Sequence, residues 1–260
     1  MKKKLFAHLR KWHRRLGISA AVFILLLSVS GIALNHSDQF EFPQTHVDSD
    51  FITSLYGLKD PDTIQAFAIN DTFLIGVDEQ LWLGDNHIID DAGYLKSAVF
   101  FNGVIVAIVD EQLLLLSASG EIIEKMNSFA GVPENISQLA VSLDGSKTVD
   151  LIWMKSPNQL FVSDEQLLQW DLVEADFTLD WAMPVQLSTV QQQHISKNFR
   201  SLLITWERVI LDFHSGRIFG VMGPLFSDLV ALLLILLSIS GISMWVRNFR
   251  KAKNIKKSLS

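Results

Sequence analysis

Seven histidines and no cysteine set the chemistry open to this chain. Without thiols there is no disulfide framework, thiolate metal site or Cys nucleophile, so reactivity must come from imidazoles, carboxylates or a bound cofactor. Two histidines stand out by position. His36 closes a long apolar run, and His214 stands 15 residues before Leu229, where a second charge-free run begins. Two neutral imidazoles facing each other across a helix pair are a ligand set for haem iron, and here the cofactor would be haem b. The competing account is structural: Asn35-His36 caps a helix C-terminus, where a cationic ring suits the dipole, and His214 fills a turn. Asp228, at the mouth of the second run, would pair with Arg217 or orient His36. More plainly, it is an acid favoured by a helix N-terminus.

The other histidines offer less. His13 lies 23 residues before His36, or about 34 Å along a helix, so the two cannot share one metal. A second haem at the level of His13 would need a partner imidazole in the second run, which has none, so another membrane subunit or a second copy would have to supply it. His8 belongs to the same basic segment as His13. His46, His87 and His194 have no companions at metal-ligand spacing and read as surface or turn residues. No Gly-rich phosphate loop, Gly-x-Ser-x-Gly or His-Glu-x-x-His is present, so no nucleotide or hydrolase site is recognisable and no catalytic residue is assigned.

The elements that must position these groups begin with the two apolar runs, which explain a mean hydropathy of +0.27. Leu16 to Leu34 is 19 residues without a charge, and Leu229 to Val246 is 18. Each is long enough to cross about 30 Å of hydrocarbon. Of the 22 Lys and Arg residues, 13 lie in the first 15 and last 14 positions, which by the positive-inside rule puts both ends in the cytoplasm. Trp12 and Trp245 are placed to anchor at the headgroups. A cleaved signal peptide is the alternative, with Ser28-Val29-Ser30 as a small-x-small site. Against it, Leu26-Leu-Ser-Val-Ser-Gly31 recurs as Leu236-Leu-Ser-Ile-Ser-Gly241. The strings read as packing faces. In an antiparallel pair they lie in opposite halves of the bilayer, so each must pack on a larger residue or on another subunit.

Between Ser37 and Val221 there are nine basic and 27 acidic residues, a net charge of −18, which argues against nucleic acid or an anionic lipid surface as partner. Asp-Glu-Gln-Leu occurs three times there, at Asp78 to Leu81, Asp110 to Leu113 and Asp164 to Leu167. Each copy sits between apolar runs in a strand, polar turn, strand pattern. A preceding strand makes the unit a three-strand meander resembling part of a propeller blade. Three units are too few to close a propeller, so an open meander or a sandwich is expected. The repeated acids read as solvated hairpin turns rather than a cation site. Trp153, Trp170, Trp181 and Trp206 are assigned to the sheet core. The fold class is a membrane α+β protein, with two transmembrane helices flanking a mostly β extracytoplasmic domain of repeated hairpins. Its segments are a basic cytoplasmic tail (1–15), a first helix (16–36), the β-repeat domain (37–184), a membrane-proximal segment (185–221), a second helix (222–246) and a second basic tail (247–260).

In the membrane-proximal segment, Val185 to Lys197 is expected to form a short helix. Ser201 to Trp206 and Arg208 to Phe213 are expected as strands, with a turn at His214-Ser215-Gly216 and a further strand at Arg217 to Phe219. The string Val209-Ile-Leu-Asp-Phe-His-Ser-Gly-Arg-Ile-Phe-Gly220, running through Asp228 into a helix that ends Ser240-Gly-Ile-Ser-Met-Trp245, resembles the PepSY-associated transmembrane proteins. So do Lys11-Trp-His-Arg-Arg-Leu-Gly17 and Ser30-Gly-Ile-Ala-Leu-Asn-His36. The resemblance covers roughly the first 36 and the last 50 residues. It implies a bacterial inner-membrane protein with a periplasmic domain, in a family whose larger members include haem-bearing reductases linked to ferric-siderophore uptake. On that basis the chain is expected to be a two-pass accessory protein in iron, haem or respiratory electron flow. The alternatives are a haem-binding redox carrier or ferric-reductase-like component using His36 and His214, and a structural or regulatory anchor.

Overall fold

The computed structural model describes residues 2–143, 150–164, 166–174 and 179–259. The chain forms two units, one of Met1–Leu58 with Arg200–Ser260 and one of Lys59–Phe199. The first unit therefore keeps about twenty residues on each side that the sequence assigns to the β-repeat and membrane-proximal segments. A small core of Val47, Ile204 and Val209, with Tyr56 and Ile218 against it, holds them there.

Two long helices dominate the first unit: α1 (Lys2–Asn35) and α5 (Met222–Leu259). The stretches Arg10–Asn35 and Met222–Arg250 have the length and apolarity to span a membrane. A short helix α2 (Asp50–Leu55) lies between α1 and the second unit in sequence. Helix α3 (Thr189–Leu202) runs across the boundary at Phe199 and starts four residues later than expected.

The strands expected at Ser201 to Trp206 and Arg208 to Phe213 are not there. Trp206–Ser215 is helix α4, followed by a 3-10 turn at Arg217–Phe219. The run Val209-Ile210-Leu211 has β propensity, but capping overrides it. Thr205 is an extended N-cap that accepts from the Arg208 N–H, Glu207 lies in the first turn, and Gly216 ends the helix at φ +79°. Arg208 Nε donates to Asp212 Oδ2 at 2.9 Å across one turn. Val209 and Asp212 then share the buried face. Trp206, expected in the sheet core, begins this helix and is 36% exposed.

The second unit is three antiparallel meanders, each of four strands rather than three. The first is β1 (Ile64–Ile69), β2 (Thr72–Val77), β3 (Gln80–Leu83) and β4 (Asn86–Ile89). The second is β5 (Leu95–Phe101), β6 (Val104–Val109), β7 (Gln112–Ser117) and β8 (Ile122–Met126). The third is β9 (Gln138–Leu143), β10 (Asp150–Ser156), β11 (Gln159–Ser163) and β12 (Trp170–Val173). They stack face to face, which makes an arc of three blades rather than a two-sheet sandwich. Phe67, Leu74, Ile105, Ala107 and Leu114 fill the space between the first and second sheets. Val106, Ile108, Leu113, Leu139 and Ile152 fill the next. The central sheet is thus buried on both faces, which is why Val104 to Val109 and Leu113 to Leu116 are continuous apolar runs without alternation. After β12 the chain returns across the inner strands: Trp181 bridges Ala140 of β9, and Val185 bridges Ala66 of β1. Ala182 between them touches both apolar layers.

The thrice-repeated phrase has a structural job. Asp78 takes a left-handed φ of +49° in the β2–β3 turn and accepts from the N–H and hydroxyl of Thr63, just before β1. Asp110, at φ +52° in the β6–β7 turn, accepts from the Tyr94 N–H, just before β5. In both blades the carboxylate ties a hairpin to the entry of its first strand. The third copy is not equivalent. It joins β11 to β12, Leu167 takes φ +60°, and Asp164 accepts from the Leu168 N–H within its own loop at 2.8 Å. Glu165 of that copy lies outside the described residues.

Candidate functional site

The twin Ser-Gly strings each hold a histidine. His214, in the last turn of α4, places Nδ1 2.8 Å from Ser30 Oγ of α1. His13 of α1 places Nδ1 2.8 Å from Ser240 Oγ of α5. The ring packs beside the glycine after each serine: a Cβ on Gly31 would lie in van der Waals contact with His214 Cε1 at 3.5 Å, and one on Gly241 with His13 Cε1 at 3.4 Å. The larger residue that each small string packs on is therefore an imidazole supplied within the same chain. Along α1, His13 and Ser30 are 17 residues apart, so the two contacts are separated by about 25 Å.

Each serine also has a backbone partner. Ser30 Oγ–H donates to the Leu26 carbonyl at 2.8 Å, and Ser240 Oγ–H donates to the Leu237 carbonyl at 2.9 Å. A hydroxyl that donates in this way accepts from the imidazole, and an imidazole that donates through Nδ1 keeps its lone pair on Nε2. This is the form in which an imidazole ligates a metal or accepts a proton, with its other nitrogen fixed by a neighbour.

His36 is placed otherwise. It follows the end of α1, donates its backbone N–H to the Ile32 carbonyl at 3.2 Å, and pairs Nδ1 with Gln39 Oε1 at 3.0 Å. His214 engages α1 six residues earlier, about 9 Å down the helix, and the structure does not bring the two rings together. Asp228 is exposed on α5 and has neither Arg217 nor His36 as a partner among the described residues. His13 was set aside in the sequence for want of a partner imidazole on the second helix. The signal that could have found its contact was the duplicated Ser-Gly string.

Beside His214 lies a cavity of about 210 Å³ between α1, α4 and α5, lined by Phe23, Leu27, Phe213, Phe226 and Ser227 among others. Phe23 and Phe226 meet edge to face at 5.5 Å. Its end is built on a backbone contact, since a Cβ on Gly216 would fall 2.4 Å from Ser227 Oγ and 2.6 Å from the Gly223 carbonyl oxygen.

A polar cluster fixes α4 on its opposite side. Asp212 is 3% exposed, and its Oδ2 accepts from Arg208 Nε and from the Tyr56 hydroxyl at 3.1 Å. Burial, then the Asp212 charge and hydrogen bond, push the Tyr56 phenol up to about 12, with Arg208 opposing. Asp212 Oδ1 is buried without a hydrogen-bond partner among the described residues. Ser37, just beyond α1, donates to Glu207 Oε1 at 2.6 Å, so the exit of α1 and the start of α4 are tied together. Among the described residues no group of three or more His, Asp or Glu side chains could hold a metal ion.

No curated protein and no solved structure matches this chain. A family does: the sequence pattern described as the PepSY-associated TM region matches residues 1–248. Spanning both membrane helices and the β meanders between them, that match makes this chain a member of the PepSY-associated transmembrane family.

Proposed function

We propose that this is a two-pass accessory protein of the bacterial inner membrane, presenting its β unit to the periplasm in a process of iron, haem or respiratory electron flow. One observation carries the reading. The membrane unit uses its scarce polar residues to hold His13 and His214 through Nδ1, each 2.8 Å from a serine hydroxyl that is also bonded to its own helix. Groups fixed in this way at membrane depth are costly and are retained for ligand, proton or electron traffic. The acidic β unit, with its charged hairpin turns, serves as the contact surface for a partner.

The redox-carrier alternative takes a narrower form. His214 suits a haem axial ligand in its donor atom and orientation, but one chain does not fit a six-coordinate haem. The cavity of about 210 Å³ has room for one small ring and not for a macrocycle, and His36 pairs with Gln39 instead of facing His214. A haem would supply one-electron chemistry, and its second imidazole would come from another copy. The visible spectrum of protein purified from haem-supplied cells tests this. A sharp reduced band that His214→Ala abolishes and His36→Ala spares supports it. A silent spectrum leaves the anchor reading. A reporter at Ser260 that reads as periplasmic would overturn the orientation.

A further inference from the structure

We propose that the cavity beside His214 binds the ring of a membrane-dissolved hydroquinone. The size sets the first limit. A cavity of roughly 150 Å³ lined by apolar side chains takes up benzene, so about 210 Å³ holds one six-membered ring with small substituents and no second ring. The walls set the next. Phe23, Phe213, Phe219 and Phe226 surround the space, and they favour a flat aromatic over a flexible chain. Leu26 is 46% exposed and Phe226 51% exposed, so the mouth opens on the surface that faces lipid and an apolar tail can leave through it.

Polarity chooses the oxidation state. His214 lines the cavity with its Nδ1 and Cε1 set against Ser30 and Gly31, and Nε2 is the atom assigned to the ligand. With Ser30 donating to the Leu26 carbonyl and accepting from Nδ1, Nε2 carries the lone pair and needs an O–H from the ligand. A hydroquinone offers that hydrogen; the quinone offers only carbonyls, and two acceptors repel. Ser227 also lines the cavity, and its hydroxyl has no partner among the described residues, so it is free to bond the same ring. The Gly216–Gly223 contact keeps the end of the site clear of side chains. The proposal rests on the membrane unit being the ligand-holding part of the protein, but its readout is independent of spectrum and topology.

The test is calorimetric titration of the full chain in lipid nanodiscs, without oxygen, using tetramethylhydroquinone and the corresponding quinone. The expected result is saturable binding of one hydroquinone per chain, with the quinone about tenfold weaker or more, the worth of one unmade buried hydrogen bond. His214→Ala should lose that preference for the reduced form. Leu26→Trp, at a half-exposed position, should fill the mouth and abolish binding of both forms while the helical circular-dichroism signal is unchanged. Equal affinity for the two forms, undiminished binding by Leu26→Trp, or no binding by the wild-type chain would each overturn the proposal.

Discussion

The two units bury opposite kinds of residue. In the β unit Leu74, Leu81, Val106, Ile108 and Leu113 are inaccessible, and the turns carry the charge. In the membrane unit Leu25, Val29 and Leu229 are more than 60% exposed, while Ala20, Ser30 and Val230 are buried. The solvent explains the inversion. Water expels apolar surface at about 25 cal/mol per Å², so the β unit is held by what it removes from water. Lipid tails are as apolar as leucine, so the helices gain nothing by hiding one. They associate through small residues, close backbone approach and hydrogen bonds such as Ser30 to His214.

The strongest way to break this comparison is to truncate one buried and one exposed aliphatic residue. Ile108→Ala should cost the β unit about 2–5 kcal/mol, measured by hydrogen exchange of the β6 amides in the intact protein. Leu25→Ala should leave exchange in α1 unchanged. A comparable loss at Leu25 would mean that α1 is buried in something other than lipid.

Tyr56 offers a smaller effect with a sign. Its phenol is neutral in the fold up to about pH 12, whereas in the unfolded chain it ionises near its ordinary value of 10. The contribution is therefore complete below pH 10 and is lost as pH rises from there through 12. Tyr56→Phe should weaken the α2–α4 core by about 1–2 kcal/mol below pH 10, since Asp212 loses a neutral donor. It should also remove the alkaline loss between pH 10 and 12. Thermal unfolding followed at several pH values would show both.

The smallest effect sharpens the comparison most. Ser30→Ala and Ser240→Ala each remove one interhelical hydrogen bond, for which about 0.6 kcal/mol is typical in a membrane. Nitrogen-15 spectra of histidine-labelled protein should report a protonated Nδ1 at both sites. Ser30→Ala should release the tautomer of His214 and leave His13 alone, and Ser240→Ala should do the reverse. A change at both histidines from either substitution would join the two contacts into one coupled element.

Much of this molecule is legible along the chain because its signals are local. Charge-free runs of membrane length, basic ends, and hairpins marked by Asn102-Gly103 and the Asp-Glu-Gln turns depend on neighbours in sequence. In the first two blades the fourth strand is not legible, because Asn86–Ile89 and Ile122–Met126 are short and lie outside the apolar layers for most of their length, and in the third blade the strand missed is the first, Gln138–Leu143. The α4 reading failed because Val, Ile and Leu in succession suit a strand as well as a helix. The arbiters were the Thr205 and Gly216 caps and the Arg208–Asp212 pair.

The sequence by itself determined the membrane class, the two spans, the acidic β-rich middle, and the existence of two Ser-Gly strings that needed something to pack on. Only the tertiary structure decided what that was. Ser30 meets His214 from 184 positions away, and Ser240 meets His13 from 227. No period or motif encodes such a pairing. It follows from the antiparallel course of two helices and from glycines beside which an imidazole packs close to the helix backbone, near enough for its Nδ1 to reach the neighbouring serine.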